Sequence, residues 1–312
     1  MKKSILPALP LFTLFLLLTH PSLSFEGAKN GLLLWWSVVL PTLLPFMLCS
    51  SLLVAWGGVP LLVRPFRLCF KRFGLSSEGS YALIAGLLCG YPMGAKTTAD
   101  FLRNRAVTKK EGQILLAIGG FPSPMFLAGY IRPRLAPELP FWMAAAALYL
   151  PLILNGIFAS IFYSHIRPFA EPGMGLRPIS EGEKDSAQSA APFDEILMNA
   201  LEIMVKIGGF LMIYSILAAF ITSSGYFPAR LKPYFLGFVE MTTGIDAISR
   251  TMSGIPASAA ILASAAFGGL SGVSQTDTVI KNAGLSIRHY VFWKLLHASL
   301  SAAILILLSN LR

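Results

Sequence analysis

Two glycine-rich segments of the chain, 90–94 and 268–272, carry polar side chains inside otherwise apolar stretches. The polar residues that follow are Lys96, Thr97, Thr98 and Asp100 in the first segment, and Ser274, Gln275, Thr276 and Asp277 in the second. Free backbone N–H groups beside hydroxyl, amide and ammonium donors are what a carboxylate or a heterocycle needs. The pattern predicts a binding site for a small solute. The alternative is that the glycines pack helices closely and the charges mark the membrane edge.

Two further positions could act with these segments. Glu240 is followed by Met-Thr-Thr-Gly within apolar surroundings. Its carboxylate could couple a proton or a cation or pair with Lys96, or it could be an interfacial charge. Ser123 lies in the sequence Phe-Pro-Ser-Pro, where proline removes backbone donors and interrupts a helix. Such an interruption at membrane depth is expected to line the solute pathway rather than to be a packing defect.

The patterns that carry catalysis are absent from the sequence. The four histidines, at 20, 165, 289 and 297, are scattered and form no HExxH spacing. The three cysteines, at 49, 69 and 89, form no CxxC pair, and we interpret them as small apolar packing residues. No nucleophile elbow, P-loop or dinucleotide fingerprint is present. We therefore expect no catalytic residue, no metal site and no cofactor, and we expect that the protein is not an enzyme.

The composition determines the class of protein that must position these residues. Of the 312 residues, 55% are hydrophobic and 13% are charged, whereas soluble domains carry about 25% charged residues. So few charges cannot coat a globule, but they suffice for the loops of a chain that crosses a bilayer several times. The composition excludes a cytosolic enzyme, a secreted disulfide scaffold and a disordered tail.

The net charge of +10 reflects how the chain is oriented in the membrane rather than a nucleic-acid partner. Basic residues cluster at 64–72 and at 103–110, on both sides of the first glycine-rich segment. Cytoplasmic loops are enriched in such residues, and no basic stretch is interleaved with stacking aromatic residues. The expected partners are membrane lipid and a small anionic solute, not nucleic acid, and self-association into a homo-oligomer stays open.

The distribution of apolar runs predicts an all-α polytopic membrane protein. The predicted regions are an N-terminal transmembrane helix at 1–30, a first membrane repeat with a connecting span at 31–164, a polar cytoplasmic linker at 165–195 and a second membrane repeat at 196–312. The first region could instead be a cleaved signal peptide, because it begins with Lys2-Lys3 and an apolar run. The run 30–63 is too long for one straight crossing, and Pro41 and Pro45 are expected to break it into an interfacial piece and a span.

Both glycine-rich segments are predicted to be re-entrant hairpins. A hairpin at 80–100 returns to its starting side, so both basic clusters can remain cytoplasmic, whereas a crossing would place one of them outside. Cysteines introduced at Lys71 and Lys109 should then be labelled from the same face of the membrane.

The two halves of the chain also suggest an internal repeat. Residues 83–110 align without gaps on 261–288 at an offset of 178, matching Gly90 with Gly268 and Gly94 with Gly272. The preceding spans agree at an offset of 164. If Lys2-Lys3 is cytoplasmic, those spans run in opposite directions and the repeats are inverted. Inverted repeats with broken helices place a solute site near the bilayer midplane.

Several short motifs together resemble a known family. They are Gly31-Leu-Leu-Leu-Trp35, Leu40-Pro-Thr-Leu-Leu-Pro-Phe46, Cys89-Gly-Tyr-Pro-Met-Gly-Ala-Lys96, Ser123-Pro-Met-Phe126 and Glu240-Met-Thr-Thr-Gly244. In combination they resemble the YlbJ-type sporulation integral membrane proteins, which contain nucleoside-recognition or Gate domains. The resemblance implies a polytopic protein of endospore formers. It also implies a role like that of a relative implicated in moving dipicolinic acid across the outer forespore membrane.

Gate domains are similar to the core of concentrative nucleoside transporters, in which a Gln-Thr-acid sequence on a hairpin contacts the substrate. Gln275-Thr276-Asp277 looks like that sequence, with Asp in place of Glu. The expected function is transport of a small anion, dipicolinic acid first, in the bacterial cell membrane or the outer forespore membrane. The alternatives are a nucleoside or other small-solute permease, or a structural or signalling component of sporulation that transports nothing.

Overall fold

The computed structural model describes residues 14–15, 17–56, 58–66, 70, 74–164 and 193–311, and this part of the chain contains helices and no strand. The α-helices are α1 Pro21–Leu34, α2 Leu40–Ala55, α3 Val59–Val63, α4 Ser77–Cys89, α5 Met93–Arg103, α6 Lys109–Ile118, α7 Pro124–Phe126, α8 Phe141–Phe162, α9 Phe193–Ser223, α10 Lys232–Val239, α11 Met241–Thr251, α12 Gly254–Phe267, α13 Gly269–Ile280 and α14 Ile287–Asn310. The all-α membrane class is confirmed. The predicted linker, apart from the start of α9, and the first thirteen residues lie outside the described residues.

Four helical stretches among the described residues are long and apolar enough to cross a membrane. They are Phe141–Phe162, Phe193–Ser223, Gly254–Ile280 and Ile287–Asn310. A fifth is the bent pair Pro21–Val39 and Leu43–Leu53, whose parts meet at 50°. The bend follows a π-helical turn at Trp35–Val39 and precedes Pro45, which stands inside α2. The chain is therefore bent beside Pro41 and Pro45, where the sequence predicts a break; the interfacial position of one part stays a prediction.

Helices α8 and α14 run antiparallel, and their contacts define the two ends of the bundle. Tyr163 and His289 are hydrogen-bonded at one end (3.0 Å), whereas His297 bonds the carbonyl of Leu148 deeper in the bundle (2.8 Å). We call the end that holds His289 and Arg103 the Arg103 end. The other end, where α8 begins, is the Arg134 end.

Helices α4 and α5 form a hairpin that starts and finishes at the Arg103 end. The backbone N–H of Ser76, just before α4, donates to the carboxylate of Glu111 (2.7 Å), and Glu111 follows the loop after α5. Near the tip, Gly86 and Gly94 bring the two helices into backbone contact. This is the hairpin geometry that the sequence predicts for the first glycine-rich segment.

Helices α10 and α11 form a second hairpin, which starts and finishes at the Arg134 end. Gly237 and Gly244 put the two backbones in contact. At the open end of the hairpin, Asp246 lies 3.7 Å from Arg134. The hairpin tip is Glu240, where the chain leaves α10 and enters α11. Sequence analysis placed Glu240 in apolar surroundings but did not predict a hairpin around it.

Helices α12 and α13 form one broken crossing, so the prediction of a second hairpin at 268–272 is wrong. Near the start of α12, the Ser258 hydroxyl accepts from the N–H of Ala136 at the Arg134 end (2.9 Å). Just after α13, the carbonyl of Lys281 accepts from Arg103 at the other end (2.8 Å). Gly254–Ile280 therefore passes from one end of the bundle to the other, with its break at Gly268.

The overlay of 83–110 on 261–288 is corrected for the same reason. It pairs a hairpin, α4–α5, with a broken crossing, α12–α13, and the two elements have different paths. The broken helix that resembles α12–α13 is instead α6–α7, which leaves the Arg103 end, is interrupted at 119–123 and finishes at Arg132–Arg134. The overlay matched similar glycine spacing, which both kinds of element use to break a helix.

Candidate functional site

Four interruptions of the helices meet around one small cavity. They are the tips of the two hairpins, at 90–92 and at Glu240, and the breaks of the two crossing helices, at 119–123 and at Gly268. The cavity, which we call the central cavity, has a volume of about 80 Å³. Its lining comprises Val38, Val39, Leu43, Cys89, Gly90, Tyr91, Pro122, Ser123, Phe126, Ile207, Leu211, Glu240, Met241, Thr242, Gly268, Ser271, Gly272 and Gln275.

Tyr91 connects three of these interruptions. It stands at the tip of the first hairpin, and its hydroxyl donates to the carbonyl of Ala265 in α12. The same hydroxyl lies 3.3 Å from the sulfur of Met241, beside the tip of the second hairpin. The aromatic ring is therefore a wall of the central cavity that holds elements from both halves of the chain.

The backbone at Gly90 and Gly268 explains why two of the interruptions occur where they do. Both residues have positive φ, +76° and +86°. Residues with a Cβ rarely adopt these angles, so glycine lets the chain leave one helix and start the next at membrane depth. Helices α5 and α13 begin within three residues of these glycines. Their N-terminal ends, with the partial positive charge of the helix dipole, therefore start beside the cavity.

Side chains cap the other two helices that start at the cavity. The Ser123 hydroxyl accepts from the N–H of Phe126 (3.2 Å) at the start of α7. Glu240 is 2% exposed and caps α11 with both carboxylate oxygens. They accept from the N–H groups of Thr242 (3.1 Å) and Thr243 (2.7 Å) and from both threonine hydroxyls. The carboxylate is thus satisfied by four donors of its own helix.

A second, larger cavity opens beside the first on the side of the Arg103 end. This vestibule has a volume of about 410 Å³ and is lined by Ser51, Pro92, Lys96, Asp100, Arg103, Ile196, Asn199, Glu202, Ile203, Lys206, Ile207, Phe210, Gln275, Thr278 and Val279. Ile207 and Gln275 line both cavities and therefore stand between them. The Gln275 amide donates to the Ser271 hydroxyl (3.2 Å).

Lys96 lies in the vestibule and not at the central cavity. Its ammonium is 2.7 Å from the carboxylate of Asp100, which also receives Arg103 at 3.1 Å. Lys96 therefore pairs with Asp100 on its own helix, and the suggested pairing with Glu240 is not the one that the structure shows. Thr97 lines a recess next to the vestibule.

The other predicted site residues divide into three groups. Ser123, Glu240 and Gln275 line the central cavity. Thr98 and Thr276 are buried, and the Thr98 hydroxyl donates back to the carbonyl of Gly94 (2.7 Å).

The third group faces away from the central cavity. The Ser274 hydroxyl is hydrogen-bonded to that of Tyr214 (2.6 Å), and Asp277 is exposed. Sequence analysis missed Tyr91 and Ser271 as cavity residues.

A buried lysine is one more residue near the cavity that was not predicted from the sequence. Lys294 lies inside the crossing helix α14 with 1% of its surface exposed. Its ammonium donates to the carbonyl of Gly120 (2.6 Å), just beyond the end of α6. A lysine two turns into an apolar helix is a signal that the sequence does contain, since such residues are costly in a membrane.

Comparison with known proteins gives two matches. Residues 36–136 match the family model Gate, described as nucleoside recognition. This stretch includes the first hairpin and the break at 119–123. The chain is also 26% identical to the sporulation integral membrane protein YlbJ of Bacillus subtilis (strain 168), over 95% of this chain and 81% of that protein. No solved structure matches the chain. The resemblance inferred from the motifs is confirmed.

Proposed function

We infer that this chain, an integral membrane protein with a nucleoside-recognition Gate domain, is a transporter of a small organic anion. The observation that carries the proposal is the meeting of four helix interruptions at one cavity. Interrupted backbone at membrane depth is tolerated only where it is buried in protein or lines a wet cavity. A purely structural membrane component would have no need of four such interruptions at one place.

The order of the elements supports an alternating-access mechanism. Each half contains a span, a hairpin, a broken crossing and a second span, in that order: α1–α2, α4–α5, α6–α7 and α8, then α9, α10–α11, α12–α13 and α14. The first hairpin opens towards the Arg103 end and the second towards the Arg134 end. We propose that the halves are inverted repeats in this pairing, which would let the two hairpins open alternately.

The sizes of the two cavities fit a state in which the central cavity is closed and a solute reaches it through the vestibule, from the Arg103 end. Pockets for small organic ligands measure about 300–1,000 Å³, so the central cavity, at about 80 Å³, is too small for such a solute. The vestibule has the required size. Movement of Gln275 and Ile207, which separate the two, would join them into one site.

The chemistry of the lining supports a solute with carboxylate or amide groups. The uncapped N-terminal ends of α5 and α13, with Ser271 and Gln275, offer hydrogen-bond donors. Because the relative in Bacillus subtilis is a sporulation protein, we propose dipicolinate as the substrate and spore formation as the process. The Gate description favours one second candidate, a nucleoside.

Uptake into proteoliposomes tests the proposal. Purified protein should accumulate labelled dipicolinate, and Ser271→Ala should lower uptake about tenfold, because the variant removes a polar group from the cavity wall. Ser299→Ala is the matched control: it removes a serine hydroxyl from a crossing helix, but that serine is exposed and bonds its own helix. Uptake of uridine instead of dipicolinate would identify a nucleoside permease. Folded protein that moves neither solute would contradict transport of these classes.

A further inference from the structure

Lys294 is a buried ammonium directly behind the wall of the central cavity. Its nitrogen lies 4.7 Å from the ring centroid of Tyr91 and 6.0 Å from that of Tyr290. Tyr91 also lines the central cavity, and so do Pro122 and Ser123, which closely follow the Gly120 carbonyl to which Lys294 donates. The ammonium is therefore separated from the cavity by one aromatic ring and one stretch of broken backbone.

The ion pairs of the described residues do not include Lys294. Helices α8 and α12, which pack against α14, contain no Asp, Glu, Lys or Arg. Helices α6 and α13 also pack against α14, but the Glu111 carboxylate of α6 is bound by Ser76 and Asp277 of α13 is exposed. His297 is one turn further along α14, and Glu240 lies beyond Tyr91, bound by the donors of its own helix. A buried ammonium without an opposite charge is costly. Its hydrogen bond to Gly120 and the faces of two tyrosine rings compensate only part of that cost.

We propose that Lys294 supplies the opposite charge for a carboxylate of the solute in the central cavity, and so makes the site selective for anions. The inference rests on the proposed transport function and names the residue that sets its substrate class. An ammonium has three donors, and Gly120 uses one of them. A carboxylate that enters beside Tyr91 would offset the charge of the ammonium and, once the Tyr91 ring turns aside, would accept a charge-assisted hydrogen bond from it.

The competing interpretation is that Lys294 only caps the end of α6. Lys232 allows the two to be separated, because its ammonium also donates to two backbone carbonyls, those of Thr222 (2.9 Å) and Ser224 (3.0 Å). Lys232 lies at the Arg134 end and does not line the central cavity. A lysine that merely caps carbonyls should contribute to stability and should not distinguish charged from neutral solutes.

The experiment is equilibrium binding to the purified full chain in detergent, with two probes of the same shape. One is dipicolinate; the other is its uncharged diamide, pyridine-2,6-dicarboxamide. Wild type should bind the dianion at least about tenfold more tightly than the diamide. Lys294→Met should abolish this preference, mainly by weakening the binding of dipicolinate. Lys294→Arg should retain most of it, and Lys232→Met should leave it unchanged.

Three results would overturn the inference. They are equal binding of dianion and diamide by wild type, an equal loss of both in Lys294→Met, and binding of neither probe. The preference of wild type is informative even if Lys294→Met does not fold. Because binding is measured without transport, protein that binds the dianion selectively but moves nothing across vesicles would contradict the proposed function and still support the role of Lys294.

Discussion

The two hairpins meet at the same cavity, but the helix that starts at one tip is capped by a carboxylate and the helix that starts at the other is not capped. The tip of α10–α11 carries its own anion, since Glu240 caps α11 through four donors. The tip of α4–α5 has no such group: Pro92 stands at the start of α5, and no side chain caps it. Of the two hairpin tips, only the first therefore leaves its helix N-terminus open to an anion from solution. Tyr91 and, behind it, Lys294 lie on that side.

This difference suggests a division of labour between the halves. The second hairpin has a fixed internal carboxylate, which repels a second negative charge and holds α11 in place. The first hairpin leaves its helix dipole open and has an unpaired ammonium nearby. Four experiments test this difference. They address the face to which each hairpin opens, the glycine contacts between its helices, the cap at Glu240 and the charge of Lys96 in the vestibule.

Labelling of introduced cysteines tests the paths of the hairpins and has the largest expected effect, because each site is reached from one face only. The background variant lacks Cys49, Cys69 and Cys89. Glu78 and Lys109 replaced by cysteine should react with an impermeant reagent from one face. Arg230 and Thr251 replaced by cysteine should react only from the other. Reaction of all four sites from the same face would refute hairpins that open to opposite ends.

Alanine in place of the contact glycines tests how closely the backbones of the hairpin helices pack. A Cβ at Gly94 would approach the Cα of Gly86 within the first hairpin (3.1 Å) and overlap the carbonyl of Gly119 in the neighbouring broken helix, and one at Gly244 would overlap the Cα of Gly237. We expect each variant to lower the free energy of unfolding by about 1–3 kcal/mol or more, because neither backbone can move easily. Gly209→Ala is the control, since a Cβ there meets nothing within 4 Å. Thermal unfolding that ranks Gly209→Ala with the other two would contradict the close approach.

The sequence predicts where the helices break more reliably than it predicts how the broken parts are connected. The breaks at Gly90, at 119–123 and at Gly268 are all foreseen, because glycine and proline act locally on the backbone. Whether a broken helix doubles back or continues depends on distant contacts, such as the bond between Ala136 and Ser258. No local pattern records such a contact.

The same limit applies to the candidate site. Gln275 and Glu240 were found from their polarity in apolar surroundings, and both line the central cavity. Lys96 was found by the same reasoning but lies in the vestibule, since sequence spacing does not show how far along α5 the cavity extends. Lys294 was missed because its significance depends on Tyr91 and Gly120, which are far away in the sequence.

Glu240→Gln tests the closed tip of the second hairpin. The amide keeps the shape of the carboxylate but loses its charge. Its NH2 group is a donor only, so one of the two oxygen acceptors of Glu240 is lost. We expect a loss of about 1–2 kcal/mol in the free energy of unfolding, as for other N-cap replacements. Chemical unfolding of the purified protein would measure it. Asp246→Asn, on the same helix but in a partly exposed ion pair, should cost less. A larger loss in Asp246→Asn would contradict the capping role of Glu240.

Lys96→Gln should have the smallest effect on stability and a graded effect on transport. The pair of Lys96 and Asp100 is about one-third exposed, and such pairs contribute roughly 0–1 kcal/mol. In the vestibule the ammonium can attract an anion before it reaches the cavity, and salt screens this attraction.

Dipicolinate uptake by Lys96→Gln should therefore be reduced at low ionic strength and should approach that of wild type at high ionic strength. Lys96→Arg, which keeps the charge, should match wild type at both. If Lys96 contacted the bound solute, as the sequence predicts, Lys96→Gln would instead abolish uptake. Complete loss at every ionic strength, at matched protein levels, would return Lys96 to the binding site and show that the first hairpin delivers its own cation to the substrate.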